Sequence, residues 1–317
     1  MFLLCRVQKL RLSLRLFFSL VKIPALTSFF LLIGFFAFAQ PEEYPLYPDG
    51  NIPLNKVCSL VEKTDSTKEG RPSKIRNIQN PGMAYWKSFK PNPKKLALLV
   101  IPGGGYSYVS YENEGRKIAE RFQNEGYDVY VLKYRLPNAS CQNNQAWVPL
   151  TDAMTALELI QNRGYEKVGV IGFSAGGHLA ASLATLYDKN PYKAAVKPPS
   201  YCCLLYPVIS FKEFQHTGSR KQLLGKDTSE AMLQQFSLES QINTKTPPVL
   251  LIHSADDQTV DYQNSEIFFS NLLKKKIHAE IHLFPFGGHG YGLGKTERPE
   301  APEWIELATD FFDRFYR

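Results

Sequence analysis

Ser174 stands in the stretch VGVIGFSAGGH, residues 168–178, where an apolar run gives way to glycines. The run before it reads as a short buried strand, and AGGHLAASLATLY after it has helical composition, so the serine falls at a strand-to-helix turn. Such an elbow exposes a hydroxyl, and Gly172 and Gly176 remove side chains that would collide with the neighbouring strand and helix. A serine hydroxyl is a poor nucleophile until an imidazole takes its proton, and that imidazole needs a carboxylate to set its tautomer. Downstream, Asp256 and Asp257 follow the run PPVLLIHSA, and His289 sits in Gly287-Gly288-His289-Gly290 after HAEIHLF. Upstream, Pro102-Gly103-Gly104-Gly105-Tyr106 follows LALLVI. Its backbone N–H groups could face a developing oxyanion, where losing one donor costs about 2.7–4 kcal/mol of transition-state stabilisation. Gly104, Gly105 and the N–H of Ala175 are the candidate donors. Taken singly, the glycine run could be an ordinary turn and His289 a structural histidine; three strand ends supplying three missing roles make the set specific.

The elements that would carry these residues alternate along the chain. LALLVI from Leu96, YDVYVLKY, the elbow strand, SYCCLLYPVI, PPVLLIHSA and HAEIHLFPF read as strands. ENEGRKIAERFQNEG, PLTDAMTALELIQNRG, the elbow helix, NSEIFFSNLLKKK and PEWIELATDFFDRFYR read as helices, the first two closed by Gly126 and Gly164. This order predicts an α/β fold with a mostly parallel, doubly wound sheet covered by helices on both faces, with functional groups at the carboxyl ends of the strands. In the closing helix Trp304, Leu307, Phe311 and Phe315 form a core stripe. His178 is expected to pack within the elbow helix and His253 within its strand, neither in the base position.

Three stretches lie outside this pattern. Residues 1–39 carry Arg6, Lys9, Arg11, Arg15 and Lys22, then an uncharged run to Ala37-Phe38-Ala39, a small-x-small cleavage signal. They read as a secretory signal peptide, with an uncleaved membrane anchor as the alternative. Residues 40–95, rich in Pro, Asn and Lys, read as a lead-in packed on the main domain, with a possible strand pair at KIRNIQ and MAYWKSF. The stretch Ser210–Thr246 falls within the catalytic domain, residues 96–317, as a short cap-like insertion over a fairly open cleft.

With 44% apolar residues in 317, the chain can bury a substantial core. The leader holds five basic and no acidic side chains, so its removal lowers the net charge from +7 to +2. The basic balance therefore says little about partners, and no basic, aromatic-interleaved surface for nucleic acid is evident. Cys58, Cys141, Cys202 and Cys203 match no metal knuckle and allow three pairings; the last two, in an apolar run, could equally be buried free thiols. No His, Cys, Asp or Glu cluster has metal-ligand spacing, and neither metal nor other cofactor is expected.

Together PGGGYSYVSYENEGRKIAERFQNEGYDVYVLKYRLP, VGVIGFSAGGHLAASLAT, TPPVLLIHSADDQTV and FPFGGHGYGLG resemble the bacterial acetyl-xylan-esterase-like carbohydrate esterases of the α/β-hydrolase superfamily, near its hormone-sensitive-lipase and feruloyl-esterase branches. The order Ser, Asp, His is that of this fold. The resemblance implies Ser174 as nucleophile, His289 as base and Asp257, the second aspartate of H-x-x-D-D-x-x-V, as the orienting acid. The chain departs from the pattern at Ser254 and Asp261, which flank the site. The implied activity is removal of acetyl groups from xylan or other plant polysaccharide fragments, by an enzyme exported to the periplasm or beyond in a Gram-negative bacterium and without stable membrane association once its leader is removed. Tyr106, Tyr108 and Tyr291 could stack on a sugar ring or simply pack the loops. The rivals are a feruloyl esterase, a small-molecule carboxylesterase, a peptidase on the same fold, and a silent binding module.

Overall fold

The computed structural model describes residues 41–92 and 95–316. The expected signal peptide lies outside the described residues. Among the described residues there are ten strands: β1 Glu42–Pro45, β2 Lys63–Ser66, β3 Pro72–Arg76, β4 Gly82–Trp86, β5 Leu96–Ile101, β6 Asp128–Lys133, β7 Lys167–Phe173, β8 Tyr201–Leu205, β9 Val249–Ser254 and β10 Ala279–Phe284. Eight of them form one sheet in the order β1-β4-β6-β5-β7-β8-β9-β10. From β6 to β10 every pairing is parallel, while β4 runs antiparallel to both β6 and β1.

The helices are α1 Lys117–Glu125, α2 Val148–Gln161, α3 Ala175–Thr185, α4 Thr217–Leu224, α5 Glu230–Gln235, α6 Gln263–Lys274 and α7 Ile305–Tyr316. Phe122 of α1 meets Phe312 of α7, and α2 packs on α3. Every residue of β5, β8 and β9 is buried, as expected for a parallel sheet covered on both faces. The closing stripe is Trp304, Ala308, Phe311 and Phe312 with Phe315 half-buried; Leu307 lies at its margin.

The strand pair expected at KIRNIQ and MAYWKSF does not form. β3, which ends at Arg76, pairs instead with β2, and β4 becomes part of the main sheet beside β6. β4 offers nearly continuous apolar burial, which the open edge of the main sheet can use and a two-stranded ribbon cannot. The stretch ahead of β5 is tied to the core at a second point. Arg135 and Asp152, both without exposed side-chain surface, form an ion pair that also takes in the Tyr47 hydroxyl, the Pro53 carbonyl and Asn55 Oδ1. Satisfying every polar atom is what makes such a buried pair tolerable.

The Cys58 and Cys141 sulfurs are bonded, with Cα atoms 5.1 Å apart. Cys202 and Cys203 are buried and free in β8. Among the described residues no helix is long and apolar enough to cross a membrane.

The strand order sets the location of the site. β5 is followed in the sheet by β6 on one side and β7 on the other, so the chain reverses its direction of winding between β5 and β7. At such a switch point the loops leaving adjacent strands diverge and open a crevice at their carboxyl ends. Ile101 lies opposite Gly172, so the glycine run and the serine elbow start side by side.

Candidate active site

Ser174 has φ 52° and ψ −120°, a conformation that costs most side chains strain energy, and it caps α3 from the end of β7. Its N–H donates to the Leu205 carbonyl and its carbonyl accepts from the N–H groups of His178 and Val208, which pins the elbow to β8. A Cβ on Gly176 would stand 2.2 Å from the Ile101 carbonyl oxygen. Glycine there is what allows α3 to start against β5.

The structure brings Ser174, Asp257 and His289 together. His289 Nε2 lies 2.9 Å from Ser174 Oγ, and its Nδ1 lies 2.6 Å from Asp257 Oδ2. With Nδ1–H donated to the carboxylate, Nε2 is left to accept the serine proton. Ser174 is 6% exposed, the Asp257 side chain is buried and that of His289 is partly open. Asp256, adjacent to Asp257, points elsewhere: it accepts from the N–H groups of Gly288 at 2.8 Å and Gly287 at 3.4 Å. It holds the loop that carries His289.

His253 has a place in the site that its position in a buried strand did not reveal. Its Nε2 faces both the Val260 carbonyl, at 3.0 Å, and Asp257 Oδ2, at 3.2 Å, while Nδ1 lies 2.8 Å from Ser265 Oγ. Two acceptors before Nε2 require the proton to be on that nitrogen, with Nδ1 accepting from the serine. Asp257 Oδ1 meanwhile accepts from the N–H groups of Thr259 and Val260. Burial opposes charge on Asp257, but the hydrogen bonds from His253 and His289, the charge of His289 and the Val260 N–H outweigh it. The carboxyl is held well below the usual range and stays ionised.

Gly104 and Gly105 have φ of 123° and 63°, and a Cβ on Gly104 would collide with the Tyr108 carbonyl at 2.1 Å. Their N–H groups make no hydrogen bond among the described residues, and Ala175, the first residue of α3, has no intrahelical acceptor. Gly103, by contrast, donates to Glu114 Oε2 at 2.8 Å.

Glu114 is a second group missed in the sequence. It lies in a π-helical turn, Glu112–Arg116, that opens α1, and a wide turn of this kind often marks a functional position. Only 4% exposed, it also accepts the Tyr206 hydroxyl proton through Oε1, at 3.0 Å. The Tyr206 ring in turn lies 4.7 Å from that of His289. Burial raises the Glu114 pKa, opposed by the Gly103 N–H, the His289 charge and the Tyr206 hydroxyl.

Tyr106 and Tyr291 are not available for stacking on a sugar. Each is 1% exposed. The Tyr106 hydroxyl bonds His178 Nδ1 at 2.9 Å and the Tyr291 ring packs edge-on against Tyr206 at 4.5 Å, so both are wall residues facing inward. Tyr108 is half-buried with Lys74 and Arg76 over its ring. His178, fully buried, donates from Nε2 to the Phe236 carbonyl and stacks on Phe211; burial lowers its pKa to about 4, so it is neutral at physiological pH. Among the described residues no group of three or more His, Cys, Asp and Glu could hold a metal ion.

The prolyl oligopeptidase family matches residues 138–316, more than half of the chain and the segment that holds all three grouped side chains. The chain belongs to this family. It is 30% identical to a solved structure, an acetyl ester-xyloside bifunctional hydrolase from Caldicellulosiruptor lactoaceticus, with a TM-score of 0.70 over 87% of this chain and 96% of the other. An acetylxylan esterase of Xylanibacter ruminicola is 30% identical over 230 residues, 69% of this chain and 46% of the relative. Endo-1,4-beta-xylanase B of Butyrivibrio fibrisolvens is 34% identical over 215 residues, 64% of this chain and 34% of the relative. The chain thus spans between a third and a half of these two curated relatives. The α/β-hydrolase architecture expected from the sequence is the one observed.

Proposed function

We propose that the protein is an exported serine esterase that removes acetyl groups from xylan or other plant polysaccharide fragments. The observation that carries this reading is the chain of contacts from Asp257 through His289 to Ser174 Oγ beside the unengaged N–H groups of Gly104 and Gly105. Ser174 Oγ attacks the ester carbonyl as His289 Nε2 takes its proton. The negative charge that forms on the carbonyl oxygen is held by the N–H groups of Gly104, Gly105 and Ala175. His289 returns the proton to the leaving sugar oxygen, and the acetyl group remains on Ser174. Water then repeats the sequence, releasing acetate and restoring the serine.

The carbohydrate part of the reading draws on the similarity to an acetylxylan esterase and an acetyl ester-xyloside hydrolase. Export draws on the leader-like residues 1–39 and on the Cys58–Cys141 bond, a cross-link typical of oxidising compartments. Membership of the prolyl oligopeptidase family favours a second reading, cleavage of a peptide bond by the same three residues.

Acetate release from p-nitrophenyl acetate and from acetylated xylo-oligosaccharides, with Ser174→Ala as control, tests both. Release from both substrates by wild type and from neither by the variant is expected. Cleavage of the small ester alone defeats the carbohydrate reading, and turnover of a prolyl p-nitroanilide in place of the esters would establish the peptidase. A Ser174→Ala protein as active as wild type would remove the nucleophile assignment.

A further inference from the structure

We propose that His216 determines specificity: its Nε2–H, presented beside the Gly103–Gly105 loop, donates a hydrogen bond to a hydroxyl of the sugar whose acetyl ester Ser174 attacks. The inference rests on the carbohydrate-ester reading above and names a side chain that recognises the alcohol part of that substrate.

His216 belongs to the stretch between β8 and β9 that the sequence marks as a cap-like insertion, and it is the N-cap of α4. The capping contact fixes its ring. Nδ1 accepts from the Ser219 N–H at 3.3 Å and lies 2.8 Å from Ser219 Oγ, a fully buried hydroxyl. With Nδ1 committed as an acceptor, the neutral ring carries its proton on Nε2. That nitrogen has no hydrogen-bond partner among the described residues.

The ring stands at the site. Its Cε1 is 4.0 Å from where a Cβ would be on Gly105, a point that Ser107 Oγ approaches to 3.7 Å. A Cβ on Gly218 would come within 3.4 Å of Nε2, so glycine at that position keeps the approach to the nitrogen open. The ring is close enough to the triad for the charges of His289 and Asp257 to act on it. Burial and the His289 charge hold its pKa below the ordinary value, which favours the neutral, single-donor form.

A donor held in this way discriminates by what the substrate offers it. A sugar hydroxyl next to the acetylated position accepts the bond, whereas a simple aryl ester covers the same N–H without pairing it. The neighbouring Phe214, 37% exposed, is on the same connecting stretch two residues earlier.

The test compares kcat/KM of the full chain on acetylated xylo-oligosaccharides and on p-nitrophenyl acetate for wild type, His216→Asn and His216→Gln. Asparagine keeps an N-cap acceptor but is too short to bring a donor to Gly105; glutamine carries an amide N–H to about the place of Nε2. The ratio of oligosaccharide to aryl-ester kcat/KM should fall about 3- to 10-fold in His216→Asn, as expected for one lost hydrogen bond, mainly through KM, and should recover in His216→Gln. An equal fall on both substrates, or no change in the ratio, assigns His216 a structural role and overturns the proposal while leaving the esterase reading intact. A wild type inactive on the oligosaccharide overturns both.

Discussion

Asp256 and Asp257 are neighbours in the chain that hold the same loop from two directions. Asp257 Oδ2 takes the Nδ1–H of His289 at 2.6 Å, and Asp256 Oδ1 takes the N–H of Gly288 at 2.8 Å. One aspartate orients the imidazole and the other the backbone that delivers it. Asp257→Asn should therefore lower kcat by about 10³- to 10⁴-fold, because an amide facing Nδ1 favours the wrong tautomer. Asp256→Ala should lower it only about 5- to 10-fold, the scale of one or two surface-loop hydrogen bonds. Steady-state kinetics on p-nitrophenyl acetate separates the two roles; equal losses would mean that the aspartates share one function.

The same carboxylate gives a pH signature. The folded Asp257 carboxyl titrates below its unfolded value of 3.8, so it adds stability that is present above about pH 4 and is lost as pH falls through the folded value. Acid unfolding of Asp257→Asn should begin from a lower stability at neutral pH and show a shallower acid limb than wild type. A parallel acid limb in the two proteins would show that the carboxylate does not have this depressed pKa.

At Ser174 the backbone conformation has a cost independent of chemistry. A side chain at φ 52° and ψ −120° is strained by about 1–3 kcal/mol, a strain that alanine retains and glycine relieves. Ser174→Ala and Ser174→Gly should both be inactive, yet the glycine variant should be the more stable by about 1 kcal/mol after its larger unfolded-state entropy is allowed for. Thermal unfolding of the two variants decides this, and a glycine variant that melts below the alanine one would mean the elbow is unstrained.

The cysteines divide into a cross-link and two inert thiols. Closing a loop between positions 83 residues apart should contribute about 2–5 kcal/mol, so Cys141→Ser should lower the unfolding free energy by that amount with the triad intact. Burial pushes the Cys202 and Cys203 thiols far up in pKa, and neither should react with a thiol reagent until the protein unfolds. Labelling of either in the native state would contradict the burial of β8.

What the sequence reveals and what it hides follow from the range of the interactions. Ser174 and the glycine run each follow a buried apolar strand, and His289 follows the half-buried edge strand β10; these are local patterns, and a parallel sheet carries all such strand ends to one edge. Asp257 is singled out over Asp256 by the resemblance, not by any local difference between the two aspartates, because the physical distinction is which carboxylate faces His289 across a gap of 32 residues. Tyr106 and Tyr291 sit beside the active loops in sequence, but their rings are turned inward by partners 72 and 85 residues away, His178 and Tyr206. His253 opens the H-x-x-D-D-x-x-V pattern, yet its place in a buried strand hides its contact with Asp257, and Glu114 depends on one wide turn at the start of α1.

Glu114 gives the last prediction. Its carboxylate joins the Gly103–Gly105 loop, through the Gly103 N–H, to the His289 ring, through Tyr206. In Glu114→Gln the amide oxygen can still accept from Gly103, but the NH₂ then faces the Tyr206 hydroxyl, which already accepts from the Gly292 N–H at 3.3 Å and loses its own acceptor. The Tyr206 ring should loosen and kcat fall about 10-fold, with KM little changed. Stability should move the other way. Because the folded Glu114 pKa lies above the unfolded value of 4.5, the wild type bears no penalty at lower pH and loses stability as pH rises through the folded value. Glutamine does not titrate, so its stability relative to wild type should improve from pH 4 to pH 8. A variant with wild-type kcat would reduce Glu114 to packing, and a stability difference independent of pH would show that the carboxyl is not raised.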